Sequence, residues 1–452
     1  MSFKKEVKPF LFVYLFTWIF TFAFFIISGL LANISFSDIF ESYTTVVSSS
    51  NGFLTIHIFV FIFYIFFLII RYFIRTYKKR GFKTSVKHFI FRLLVPIFLL
   101  YFGLKFIIES NANEGFNYKW DYSIENKTDS IQDLYALDGK HRGMTVYDFG
   151  RRNSTNVDEL IKNNVEWVVI LPYFYQKDER TNTIRNPKEI GVWSHRDSMF
   201  IESIDQLHQK NIRIHLKPHL WMSSGWRSNI NFESSEDWNT WFESYRKTIL
   251  HFATMAEKTK TELFCIGTEL RSSIKAQPEK WKVLIQEIKT IYSGELTYAA
   301  NWDDPLDLID FWSELDYIGM QAYFPLTENT NPEISQIQKG WQKHKETLKF
   351  LSEKHQKKIL FTEVGYRPDA VATKTPWAWG SAFGPLFKKK SDQTQYLAYE
   401  ALFEELWSES WYAGSYVWQW NNSDFEIKGK PAQNSIAKWY GKFYTGLISE
   451  SD

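Results

Sequence analysis

Phe10 to Leu31 is a run of 22 residues without a charged side chain. At about 1.5 Å per residue, a helix of that length exceeds the ~30 Å hydrocarbon core of a bilayer. Two more runs follow. Phe53 to Ile70 adds 18 uncharged residues, and Phe89 to Ile108 is interrupted only by Arg92 and Lys105 near its ends. Long cationic side chains at such places can snorkel to the headgroups. A single run would suit a buried helix of a soluble protein, but three in succession do not. The first run is too long for a cleaved signal peptide and lacks a small-residue cleavage site. The expectation is a membrane module over 1–110 with three transmembrane helices, at about 10–31, 53–70 and 89–108.

Orientation follows from Lys and Arg. Lys4, Lys5 and Lys8 precede the first run, and Ala32 to Gly52 has no Lys or Arg. Arg71, Arg75, Lys78, Lys79, Arg80, Lys83 and Lys87 separate the second and third runs. The N-terminus and that basic connection are therefore expected in the cytoplasm. Everything after Ile108 is expected outside, in an integral membrane protein whose partner is the lipid bilayer. The formal charge of +2 then divides in two. Residues 1–110 carry 12 Lys and Arg against 4 Asp and Glu, leaving 41 against 47 in residues 111–452. An acidic domain held outside the cell disfavours nucleic acid as a partner. A composition 18% aromatic and 23% charged excludes a disordered chain. One Cys excludes a disulfide scaffold and a cysteine-rich metal site.

Residues 111–140 are polar and read as a stalk. From 141 to 452, short apolar runs alternate with helical patterns. The runs are Met144–Phe149, Trp167–Leu171, Ile212–Leu216, Leu263–Ile266, Leu296–Ala300, Tyr317–Met320, Ile359–Thr362 and Ala413–Trp418. Such runs suit parallel strands covered on both faces. Trp238, Trp241, Phe242, Tyr245, Ile249, Phe252, Ala253 and Ala256 share one face of a helix that Ser234 can cap. Further helices are expected from Ser391 to Trp407 and from Ile334 to Leu351. Eight strands alternating with helices predict an α/β (β/α)8 TIM barrel preceded by the transmembrane helices. A doubly wound open sheet is the alternative. It usually places a glycine-rich loop after the first strand, and TVYDFGRRNS has a single Gly.

A (β/α)8 barrel works at the C-terminal ends of its strands. That rule nominates Asp148 from strand one, and Lys217, His219 and Trp221 from strand three. Strand four nominates Glu269, preceded by Thr268, and strand five nominates Asn301 and Trp302. Strand six nominates Gln321 and Tyr323, strand seven Glu363, and strand eight Trp418. Two Glu just past strands four and seven point to glycoside hydrolysis. That reaction takes one carboxylic acid to protonate the leaving oxygen and one carboxylate to attack carbon or activate water. Either Glu alone would as readily form an ion pair or cap a loop. Tyr323 could steady the Glu363 carboxylate through its hydroxyl. Sugar C–H faces pack on aromatic rings, and 18 of the 19 Trp lie beyond residue 110. Trp238, Trp241, Trp341 and Trp407 fit helix core faces, whereas Trp221, Trp302, Trp418, Trp377 and Trp379 fall in loops or at strand ends. His219 suits a sugar hydroxyl or a satisfied structural role equally. Lys217, Asp148, Arg151 and Arg152 suit either substrate or an ion pair. Cys265 reads as a small buried hydrophobe. No HExxH is present, and Asp303, Asp304, Asp307 and Asp310 lack EF-hand spacing, so neither metal nor cofactor is expected.

IGTEL with Glu269, AANW with Asn301, LDYIGMQAYFPL with Tyr323 and FTEVGY with Glu363 resemble glycoside hydrolase family 113, in order and spacing over roughly 142–445. The membrane module lies outside the resemblance. The resemblance implies a retaining (β/α)8 glycosidase of endo-β-1,4-mannanase type, with Glu269 as acid/base and Glu363 as nucleophile. It also implies that Tyr323 hydrogen-bonds the nucleophile and that Trp418 floors the subsite of the attacked sugar. Many members of the wider clan have Asn before the acid/base, to bind the sugar 2-hydroxyl. Here that position is Thr268, in keeping with the family's own Gly-Thr-Glu, and Asn301 is the candidate for the hydroxyl contact. The expected substrate is a β-linked polysaccharide or oligosaccharide. Two other readings stand beside hydrolysis: a transglycosylase using the same carboxylates, and a non-catalytic carbohydrate-binding barrel, which would be expected to lose one Glu.

Overall fold

A computed structural model describes residues 4–31, 35–48, 50–111, 116–124, 133–151, 155–185, 193–306, 309–380, 389–421 and 423–443. The chain divides into two compact units, Met1–Ile107 and Ile108–Asp452.

The first unit is helical. Its opening helix, Lys4–Leu31, exposes Phe12, Leu15, Ile19 and Phe24. A helix at Phe36–Ser48 folds back on it. Ile39 is buried against Gly29, where an added Cβ would lie 2.4 Å from Ile39 Cγ1, and the rings of Phe22 and Tyr43 are 5.0 Å apart. Two stretches are long and apolar enough to cross a membrane, Val7–Leu31 and Gly52–Ser110. The second carries both of the later apolar runs, in two helices that meet at a kink. The stretch is broken at Gly81, whose φ of 76° is left-handed. Tyr72 Oη lies 3.1 Å from His88 Nδ1. Sixteen residues of straight helix would separate them by about 24 Å, so the chain folds back at Gly81. The basic residues Arg75, Lys78, Lys79, Arg80, Lys83 and Lys87 are exposed around this turn.

The second unit is a closed parallel barrel. Its strands are β1 (His141–Thr145), β2 (Trp167–Ile170), β4 (Arg213–Leu216), β6 (Leu263–Thr268), β7 (Glu295–Asn301), β8 (Tyr317–Gln321), β9 (Lys358–Val364) and β10 (Tyr412–Val417), and β1 pairs with β10 to close the ring. A separate parallel pair, β3 (Tyr173–Gln176) and β5 (His219–Met222), continues β2 and β4 beyond Pro172 and Pro218. Proline has no N–H to give a ladder, so each strand is interrupted there and resumes above the barrel. The expected helices form at Ser235–Thr259, Ile334–His355 and Asp392–Leu406, and Ser234 caps the first by accepting from Asp237 N–H. Trp241, Trp281, Trp312 and Trp341 are fully buried between helices and strands.

The first strand lies three residues earlier than expected. Met144–Phe149 is apolar because Val146 and Phe149 are buried in the turn after the strand, not because all of it is strand. His141 and Arg142 belong to the strand although both are polar. The His141 ring meets Tyr416 Oη at 2.8 Å inside the barrel, and Arg142 pairs with Asp138 at 2.7 Å and Glu166 at 3.3 Å. The described parts of 111–140, read as a stalk, lie against the barrel. Tyr118 donates to Asn434 Oδ1 at 2.7 Å, and the Leu134–Asp138 helix gives its first N–H groups to the Glu166 carboxylate.

Candidate active site

Glu269 and Glu363 both sit where their strands run out into the barrel mouth. Gln321 of β8 and Glu363 of β9 are register partners. The Glu363 side chain is 6% exposed, and each of its oxygens has its own donor. Lys217 Nζ lies 2.6 Å from Oε1 and Tyr323 Oη lies 3.0 Å from Oε2. Lys217 is fully buried and also donates to Gln321 Oε1 at 2.7 Å. Burial first, and the Glu363 charge second, hold the Tyr323 hydroxyl well above its ordinary pKa. It therefore stays protonated and donates. The charge of Glu269 acts on the same hydroxyl and raises it further.

Glu269 follows β6 directly and takes a left-handed φ of 54°, uncommon for a residue with a Cβ. Such a conformation costs on the order of 1–3 kcal/mol and persists where its surroundings impose it. Three contacts do so. Glu269 N–H donates to Ala299 O at 2.9 Å, Ser228 Oγ donates to Glu269 O at 2.8 Å, and Leu270 N–H donates to Tyr298 Oη at 2.7 Å. The carboxylate meets Arg227 Nη2 at 2.6 Å in a pair that is almost wholly buried.

The remaining nominated residues are placed differently. His219 and Trp418 are buried beside these carboxylates and keep unpartnered polar atoms, both ring nitrogens of His219 and Nε1 of Trp418. Burial first, then Arg227 and Lys217, push His219 well below its ordinary pKa, so the ring is neutral and can both donate and accept. It stacks on Tyr173 at 5.6 Å. Lys217 is used inside the protein, on Glu363 and on the Gln321 side-chain oxygen. Asn301 Oδ1 accepts from Trp302 N–H at 3.0 Å, and the Thr268 hydroxyl lies 3.9 Å from Cys265 Sγ in the barrel wall. Trp302 and Trp221 stand at the rim. Trp302 stacks with Trp377 at 5.1 Å, and Trp221 is 51% exposed on β5. Asp148 is not at a strand end. It lies in the turn after β1 and accepts from Thr155 N–H at 2.7 Å. Asp303 and Asp304 pair with Arg271, while Asp307 and Arg152 fall outside the described residues. Among the described residues no group of three or more His, Cys, Asp or Glu is placed to hold a metal ion.

A family model for Glycoside Hydrolase Family 113 matches residues 146–442, well over half of the chain. The chain belongs to glycoside hydrolase family 113. Solved structures of that family share its fold. A GH113 β-mannanase from Alicyclobacillus acidocaldarius, in complex with ManMIm, is 24% identical with a TM-score of 0.57, covering 67% of this chain and 97% of that one. A GH113 β-1,4-mannanase solved as a complex is 23% identical with a TM-score of 0.56, covering 67% and 98%. A further GH113 β-1,4-mannanase structure is 25% identical with a TM-score of 0.53, covering 62% and 90%. No curated protein matches the chain. The family 113 barrel begins after the apolar helices, which are no part of the matched region. Sequence reasoning about this glycoside hydrolase passed over Arg227, Trp226 and Tyr173. Arg227 carried one signal, its place in a Gly-Trp-Arg turn soon after the third barrel strand and its extension.

Proposed function

We propose that the chain is a membrane-anchored, extracytoplasmic retaining glycoside hydrolase acting on a β-linked polysaccharide of the β-1,4-mannan type. Glu363 attacks the anomeric carbon while Glu269 protonates the leaving oxygen. Water then attacks the glycosyl–Glu363 ester, giving its proton to Glu269 and returning Glu363 as a carboxylate. The observation that carries this reading is the separate donor on each Glu363 oxygen, Lys217 on one and Tyr323 on the other. Two fixed, buried donors hold a carboxylate aimed, as a nucleophile requires. Neutral His219 and Trp418 Nε1 are free to meet sugar hydroxyls beside it. The mannan assignment draws on the names of the structural relatives. The direct test is product analysis of the detergent-solubilised full chain on a panel of β-linked polysaccharides. New reducing ends from mannan are expected, and release of no sugar from any of them would leave only a binding barrel.

The anchoring draws on the exposed apolar helices and on the basic turn at Gly81. In the proposed arrangement Phe10–Leu31, Phe53–Ile70 and Phe89–Ile108 each cross the bilayer, with the basic turn inside. Protease added to intact spheroplasts is expected to degrade residues 111–452 and spare the basic turn. A barrel that survives until the membrane is breached refutes this topology.

A further inference from the structure

The turn that holds Glu269 also offers a surface to substrate. Trp226 N–H and Asn229 Nδ2 both donate to Glu179 Oε1, at 2.8 and 3.1 Å, and Ser272 Oγ donates to Ser228 O at 2.6 Å. Gly225 takes a φ of 81°, and a Cβ there would lie 2.8 Å from Glu179 Cγ, so the turn is closely fitted to that side chain. What the turn presents is an exposed indole, Trp226, with the Arg227 guanidinium 5.1 Å from its ring. Arg227 spends Nη2 on Glu269 and Nη1 on Leu220 O, while its buried Nε has no protein partner. A general acid must touch the oxygen that leaves, so the sugar on that oxygen lies on the Glu269 side of the scissile bond. Trp226 is an exposed aromatic face, and Arg227 reaches both its ring and Glu269.

We propose that Trp226 and Arg227 form the subsite for the departing sugar, and that the same subsite receives an acceptor sugar in the second half of the reaction. The inference rests on the retaining reading above. In the transfer step an acceptor hydroxyl attacks the anomeric carbon of the glycosyl–Glu363 ester. The new C–O bond forms as the bond to Glu363 breaks, Glu363 leaves with the electron pair, and the hydroxyl proton passes to Glu269. Water follows the same course without needing the subsite.

The ratio of transfer to hydrolysis therefore isolates the subsite. Both outcomes share Glu269 and Glu363, so mere damage to the carboxylates lowers both and leaves the ratio alone. The measurement uses the full chain, an aryl β-mannobioside donor and added mannobiose. Trp226→Ala is expected to lower the transfer-to-hydrolysis ratio by about tenfold. Trp226→Leu, which keeps apolar bulk but no ring, is expected to match it, and Trp226→Tyr to match the wild type. An unchanged ratio in the Ala and Leu variants, or no transfer by the wild type at saturating mannobiose, overturns the proposal. A wild type that releases no aryl alcohol overturns the hydrolase reading beneath it instead.

Discussion

Glu363→Ala is expected to lose activity by on the order of 10⁴-fold or more, because no covalent intermediate can form. Glu269→Ala is expected to lose on the order of 10²–10⁴-fold, the usual share of acid–base assistance. Azide separates the two roles by stereochemistry. In Glu363→Ala the azide enters the space the carboxylate left, attacks the anomeric carbon once, and gives an α-glycosyl azide from a β-glycoside. In Glu269→Ala the glycosyl–Glu363 ester still forms from an aryl donor whose leaving group needs no proton. Azide then attacks that ester and gives a β-glycosyl azide. Product configuration by NMR reads the assignment directly. The opposite pattern would exchange the roles, and full activity in either variant would remove that residue from the chemistry.

Lys217→Met is the second large effect. Lys217 is buried without exposure and serves Glu363 Oε1 and Gln321 Oε1 together. Methionine matches its stem but leaves the Glu363 carboxylate with Tyr323 as its remaining close donor. Breaking a buried ion pair from one side costs about 3–5 kcal/mol, since the charge left behind is uncompensated. The loss is expected in both thermal stability and kcat, with kcat falling on the order of 10²–10³-fold. Lys217→Arg is not a conservative rescue here, because a planar fork does not fit the space of a point donor. The decisive comparison adds Glu363→Gln to Lys217→Met. The neutral amide removes the unpaired charge, so the double variant is expected to regain thermal stability over Lys217→Met while staying inactive. Equal melting temperatures for the single and double variants would show that Lys217 does not act through the Glu363 charge.

Those two experiments also mark where sequence reading stops. Glu269 and Glu363 were legible because each closes an apolar run, and the strand ends of a parallel barrel gather at one mouth. Tyr323 was legible for the same reason, two residues past β8. Lys217 was legible as a candidate but not as a partner. Its contact with Glu363 spans 146 residues of chain and exists only because β4 and β9 face one barrel interior. Arg227 was missed outright. It lies in no strand or long helix, and only the β5 extension beyond Pro218 brings its turn to Glu269. Asp148 was misplaced because a buried turn and a buried strand look alike in hydropathy.

What the sequence determined by itself is local and periodic. Uninterrupted apolar runs specify long helices with an apolar surface, because nothing in them rewards exposure to water. Alternating strand and helix patterns specify the barrel, because parallel strands need helical crossovers to return. Tertiary structure alone decided which charges meet. It set Lys217 against Glu363 and Arg227 against Glu269, and folded the 50–110 helical stretch back at Gly81. Such pairings depend on distances in space after closure, and a buried charge is tolerated only where closure delivers its counter-charge.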